Sequence, residues 1–298
     1  MLKPIALALA LAALAAFGAL RAQTPSKLFP QLSPAASTSL TIGTTPITLE
    51  YHRPAVRGRA IWGALVPYGQ VWRTGANEAT LIRFADPVQV NGNPVPAGTY
   101  ALFSIPGPDQ WTLILNRRAR QFGSFEFSAQ DDQLRFDVKP KASNFNEWLT
   151  YTITPSSRQS AYVDLLWEKV RISFLVEVDV DGLVTARMKK AMAKADPKDW
   201  KIYSDAAEYL LEMDENLNQS LAWADRSIAI RENPTNLHVK ARLLHLMGRM
   251  PQARQLLDKA TRLAKAQGAG PAVLGPIQAT LEQWKASRDY AAAPGNRR

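Results

Sequence analysis

The chain has 298 residues, of which 46% are hydrophobic and 21% charged, a balance that supports about two packed folding units and excludes a disordered chain. It contains no cysteine, which excludes disulfides, thiol catalysis, cysteine-ligated zinc and anchoring through a lipidated cysteine. The net charge of +10 gathers towards the C-terminus, where residues 181–298 hold 19 Lys and Arg against 13 Asp and Glu; because the two signs are interspersed, this reads as a solvated helical face and not as a nucleic-acid surface.

Met1-Leu2-Lys3-Pro4 is followed by an uncharged, Ala- and Leu-rich run from Ile5 to Leu20, closed by Arg21-Ala22-Gln23. One early positive charge, an apolar run short for a membrane span and small residues near its end predict a secretory signal peptide over residues 1–22, cleaved after Ala22. The alternative is a retained N-terminal anchor, because Leu20 is not the usual small residue at its place before the cut. No later apolar run is long enough to span a bilayer, so the expectation is an exported protein of the periplasm or cell envelope. Residues 23–36, with Thr24-Pro25-Ser26 and Ser33-Pro34-Ala35-Ala36, read as a linker, with order beginning near Ser37.

Residues 37–180 carry the signals of a β-rich domain. Leu134, Phe136 and Val138 alternate with polar residues, as do Ile172, Phe174, Val176 and Val178, the period of two expected of strands with one buried face. Val88-Gln89-Val90 before Asn91-Gly92 predicts a hairpin, because a type I′ turn needs positive φ at both central positions. Further strands are expected at Leu40–Ile42, Ile47–Tyr51, Thr80–Phe84, Thr99–Ile105, Trp111–Asn116, Tyr151–Thr154 and Ala161–Trp167. Many short strands at this spacing predict a sandwich or an open barrel.

After Asp181-Gly182 the pattern changes to Ala, Lys, Leu and Glu at helical spacing, and residues 184–290 read as a helical domain. Asp196-Pro197 offers an N-cap followed by proline at the first helical position, predicting a helix from about Pro197 to Met213. Four more follow at Leu217–Arg231, Thr235–Met247, Gln252–Gln267 and Ala272–Tyr290. Small residues seven apart, Ser220 with Ser227 and Ala253 with Ala260, recur at a spacing that resembles the tetratricopeptide repeat; Ala222 with Ala229 is a competing pair. The whole is an α+β chain of two domains.

Polar and aromatic signatures concentrate in Tyr51-His52-Arg53-Pro54, Arg57-Gly58-Arg59, Ile61-Trp62-Gly63, Val66-Pro67-Tyr68-Gly69 and Val71-Trp72-Arg73-Thr74-Gly75-Ala76-Asn77-Glu78, and again in Pro96–Pro106. With Trp167-Glu168-Lys169, these runs resemble the DUF2911 family of bacterial exported proteins from about Ser33 to Asp179. The resemblance implies a β domain in a cell-envelope protein and brings no catalytic residues with it. His52 departs from the small polar residue usual at its position in that family.

Arg53, Trp62, Arg73, Asn77, Glu78 and Tyr100 are the candidate ligand contacts: flat aromatic faces stack on apolar ligand surface while Arg and Asn give directional hydrogen bonds. Gly75 is expected to let this segment turn sharply. Three functional readings follow: a non-enzymatic binder of a small polar ligand or glycan with a helical tail that contacts another protein; a hydrolase of sugar or peptide polymers using Glu78, with Glu50 as the second carboxylate; or a scaffold in which the same side chains staple loops. No cofactor motif is present, and the histidines His52, His238 and His245 read as structural, with no metal-ligand grouping.

Overall fold

The computed structural model describes residues 30–286, so the expected signal peptide and the first half of the expected linker lie outside the described residues. The chain divides into two compact units, with the break between Val180 and Asp181.

The first unit holds ten strands: β1 (Ala35–Ile42), β2 (Thr45–His52), β3 (Thr80–Phe84), β4 (Val88–Val90), β5 (Asn93–Val95), β6 (Gly98–Ile105), β7 (Trp111–Asn116), β8 (Asp132–Val138), β9 (Lys141–Ser157) and β10 (Ser160–Glu177). They form two antiparallel sheets, one in the order β1-β2-β3-β6-β7-β8 and one in the order β5-β4-β10-β9. Alternation explains how they pack. On β2, Ile47, Leu49 and Tyr51 are buried while Glu50 and His52 face outward. The inner faces meet through Tyr51 and Tyr151 (ring centroids 4.8 Å apart) and Phe136 and Phe174 (5.6 Å), the sandwich of the two architectures expected.

Two boundaries differ from the sequence expectation. Ala35 and Ala36, assigned to a linker, pair with His52 and Tyr51 and so begin an edge strand. The runs around Ala161–Trp167 and Ile172–Val178 are one strand, interrupted by a register irregularity at Leu166–Glu168, where Glu168 has φ 54°. Before it Ala161, Val163, Leu165 and Trp167 are buried; beyond it Ile172, Phe174 and Val176 are, so the inward phase switches from odd to even positions. Asp164 and Arg171 form a bidentate ion pair at 2.9 and 3.0 Å. Seven residues of straight strand would separate them by about 23 Å, so the strand bends sharply at this point. At the other end of the sheet, Asn91 (φ 46°) and Gly92 (φ 78°) make the tight turn that their sequence predicts between β4 and β5.

The second unit is an array of six helices: α1 (Val180–Met192), α2 (Trp200–Glu212), α3 (Leu217–Ile230), α4 (Pro234–Leu246), α5 (Met250–Ala266) and α6 (Pro271–Ala286). The sequence pattern missed α1. The N-cap of α2 is Asp199, whose carboxylate accepts from the amides of Lys201 and Ile202, and not Asp196 as expected. Asn233 caps α4 in a reciprocal box with Asn236, with Pro234 just inside. Ser220, Ser227, Ala253 and Ala260 are all fully buried, whereas Ala222 and Ala229 are exposed. The hydroxyls of Ser220 and Ser227 donate to the carbonyls of Ala207 and Trp200, so these small residues join neighbouring helices. Among the described residues, no helix is long and apolar enough to cross a membrane.

Candidate functional site

Two loops shape a groove of the first unit. The segment from Val71 to Ala79 runs up to β3. Trp72 exchanges both backbone hydrogen bonds with Ser104 of β6, at 2.7 and 2.8 Å, and Thr74 Oγ1 donates to the carbonyl of Leu102 at 2.7 Å. Thr74 itself has φ 51°, and its carbonyl accepts from Thr80 Oγ1 and Tyr151 Oη, each at 3.1 Å. The turn is therefore made at Thr74 and at Asn77 (φ 57°) and not at Gly75. Gly75 is needed for room: a Cβ there would lie 2.9 Å from Thr80 Oγ1 and 3.2 Å from the carbonyl of His52.

The second loop, residues 117–127, fastens to the first. Ala79 N donates to Gln121 O at 3.0 Å, Gly123 N to Asn77 O at 2.9 Å, and Glu78 and Phe122 form an antiparallel bridge. Beneath the loop, Ala79, Ala101, Phe103 and Ile114 form a small apolar cluster with Val71, Ile105 and Phe127 against it. The groove, about 860 Å³, opens beside this loop; Glu50, His52, Glu78, Arg120, Gln121 and Phe122 line it, with Ser37 and Leu81 on its strand floor. Ser37 is paired with Glu50 and Glu50 with Leu81, so three strands contribute one row of side chains.

Glu78 is the one sequence-selected ligand contact on the groove wall. Its Oε2 lies 3.4 Å from His52 Nδ1, which gives His52 a carboxylate neighbour that its sequence position did not suggest. Glu50, the proposed second carboxylate, lines the same groove, and its carboxylate has no ion-pair or hydrogen-bond partner among the described residues. Glu126 also lines it and pairs with Arg118. Gln121, Phe122 and Arg120 were not singled out in the sequence, where they sit in an unpatterned loop between two strands.

The other candidates lie outside the groove lining. Arg53 Nε donates to Leu149 O at 2.9 Å and its Nη2 to Thr150 Oγ1 at 2.6 Å, tying the end of β2 to β9. Asn77 Nδ2 donates to Gln31 Oε1 and Ser33 O, holding the segment before β1. Tyr100 is buried, donates to Pro96 O at 2.8 Å, and has its pKa raised by burial. Trp62 packs into a four-indole cluster, with ring centroids 4.9 Å from Trp111, 5.6 Å from Trp167 and 5.8 Å from Trp72. Arg73 is half-buried; burial lowers its pKa, and its Nε is enclosed without a hydrogen-bond partner among the described residues. The groove does not include it.

Each tail histidine is held against a neighbouring side chain. His238 is buried with Nε2 at 2.8 Å from Thr280 Oγ1, and His245 stacks on Trp284 at 4.6 Å. Among the described residues, no group of three or more His, Asp or Glu side chains is placed to hold a metal ion.

Residues 33–176 match the family model DUF2911, described as a protein of unknown function. No curated protein and no solved structure matches the chain.

Proposed function

Taking residues 33–176 as a DUF2911 domain, we propose that this is an exported envelope protein whose β domain binds a small polar ligand or glycan without transforming it, and whose helical tail contacts another protein. The observation that carries the reading is the groove on the outer face of the six-stranded sheet. It combines carboxylates, an amide and an exposed phenyl ring, and its walls are held by backbone bonds between two loops. Such preorganisation lowers the entropic cost of binding. Export rests on the N-terminal sequence alone; sequencing of the mature protein should begin at or near Gln23, and intact Met1 recovered from membranes would mean an anchor.

A second reading, hydrolysis of a sugar or peptide polymer, draws on Glu50 and Glu78 sharing one groove with His52 beside Glu78. One experiment separates the two. A ligand that binds the fold raises its melting temperature, by the equivalent of about 2.7 kcal/mol at a hundredfold excess over Kd. A panel of oligosaccharides, amines and peptides should give a shift with the parent and no released product. Release of product that disappears in Glu78→Gln would instead establish the hydrolase, and no shift with any compound would leave the scaffold reading.

A further inference from the structure

We propose that the loop from Arg117 to Phe127 docks the protein on the surface of an anionic lipid bilayer, with the rings of Phe122 and Phe125 entering the headgroup region and the neighbouring arginines meeting lipid phosphates. This does not depend on the groove taking a ligand.

The first observation is where the exposed apolar groups gather. Among the described residues, the three most exposed large hydrophobic side chains are Phe125 at 85%, Leu32 at 75% and Phe122 at 59%. All three belong to segments that meet at Asn77. Its Nδ2 donates to Gln31 Oε1 at 3.0 Å and to Ser33 O at 3.3 Å, on either side of Leu32. Its carbonyl accepts from Gly123 N at 2.9 Å, between the two phenylalanines. Single exposed apolar side chains are ordinary, whereas a gathering of large ones marks an interaction surface.

The second is how the loop is held. Asn116 ties both its ends, with Oδ1 accepting from Gln121 Nε2 at 3.2 Å and Nδ2 donating to Ser128 O at 2.9 Å. Phe127 packs on Phe103, with ring centroids 5.1 Å apart, while the exposed ring of Phe125 lies over Gly123, where a Cβ would come within 2.8 Å of it. Rings presented on a braced loop lose little freedom when they are covered.

The third is charge. Between residues 117 and 127 three arginines, Arg117, Arg118 and Arg120, stand against one acid, Glu126, and all four are exposed. Glu126 pairs with Arg118, Arg117 donates to Gln130 O, and Arg120 has no hydrogen bond or ion pair among the described residues. Glu78, bridged to Phe122, has His52 beside it. Phenyl rings flanked by guanidinium groups match a bilayer interface, where the rings reach acyl chains and the forked cations reach phosphates.

Two further points favour a lipid surface over a second copy of the chain. The three apolar side chains expose on the order of 400 Å² together, about half of the ~800 Å² per partner that a stable protein interface buries. The uncharged run Ile5–Leu20 ends twelve residues before Leu32, a span of about 40 Å at full extension, so the gathering lies where the chain emerges from its most membrane-seeking stretch.

The test is sedimentation of the mature chain, beginning at Gln23, with vesicles of phosphatidylcholine alone or mixed with phosphatidylglycerol. Omitting residues 1–22 removes the apolar run as a cause of binding. The chain should sediment with the mixed vesicles, about tenfold less tightly in Phe125→Ala, several-fold less tightly in Arg120→Gln, and less as salt rises. Phe125 and Arg120 are exposed, so both variants should fold as the parent does. Failure to sediment with the mixed vesicles overturns the proposal. So does binding that Phe125→Ala leaves unchanged, which would assign the attraction to the basic helical tail. If vesicles are ignored and Phe125→Ala abolishes a self-association instead, the loop joins two copies and a membrane is the wrong partner.

Discussion

The hydroxyl of Tyr151 donates to the carbonyl of Thr74 at 3.1 Å, so one strand of the smaller sheet holds a loop that leads into β3, a central strand of the larger one. The same carbonyl takes a second bond from Thr80, and Thr74 sits at a positive φ that a β-branched residue adopts only under constraint. Tyr151→Phe should therefore destabilise the first unit by about 1–2 kcal/mol, read by urea denaturation. An unchanged midpoint would mean that the bond from Thr80 suffices for the Thr74 carbonyl.

The same tyrosine gives an alkaline prediction. Burial raises its pKa above the ordinary 10, so the folded state keeps the proton that the unfolded chain gives up. Its contribution is fully present below about pH 10 and is lost as pH rises beyond that value. Stability measured from pH 9 to 11 should fall, and should fall less steeply in Tyr151→Phe.

Arg53 and Glu78 should respond in opposite ways to removal. Arg53 is tied to β9 by two hydrogen bonds, whereas Glu78 is exposed on the groove wall. Arg53→Ala should cost about 1–3 kcal/mol with the ligand response of the folded protein intact. Glu78→Gln should leave thermal stability within about 0.5 kcal/mol of the parent while weakening the ligand-induced shift. The reverse outcome would move the site from the groove to the Arg53 neighbourhood.

Acid should loosen the helical unit through His238. Burial, aided by Arg242, lowers its pKa from 6.5 to about 4. The folded state thus resists a proton that the unfolded chain accepts, and stability is complete above pH 6.5 and lost as pH falls towards 4. The loss is on the order of 3 kcal/mol, followed as helical circular dichroism against urea at pH 7 and pH 4.5. His238→Gln, which keeps a partner for Thr280, should flatten that dependence.

Gly43 offers a test of close packing. Its φ is +58°, and a Cβ would lie 2.5 Å from Val180 Cγ1. Gly43→Ala should destabilise the first unit by about 1–3 kcal/mol through strain and overlap together, whereas Gly58→Ala, with a similar φ and open space, should cost less.

What the sequence disclosed was periodicity, and it failed where periodicity breaks. The strands from Ile47 to Tyr51 and from Leu134 to Val138 alternate without interruption and were read directly. The strand through Trp167 and Ile172 was read as two, because the irregularity at Glu168 reverses the inward phase and imitates a loop. Ala35 and Ala36 lack any hydrophobic alternation, so only their pairing to β2 makes them strand. The site was less legible still. Glu78 was found from its polar neighbourhood, but the loop it pairs with lies some forty residues later, and no spacing rule links Gln121 or Phe122 to Glu50. Trp62 and Arg53 have the chemistry of ligand contacts, and only coordinates show their faces and donors occupied.

The four-indole cluster has an optical consequence. Trp111 lies on the six-stranded sheet, Trp167 on the four-stranded one, and Trp62 and Trp72 on the connecting segment, while Trp72 and Trp167 stack within 18° of parallel at 5.9 Å. Chromophores this close share their excited states, so the near-ultraviolet dichroism of the first unit belongs to the assembled group and not to any one ring. Separation of the sheets, or withdrawal of the segment between them, would extinguish that band, and the protein thus carries its own spectroscopic gauge of whether its two layers are together.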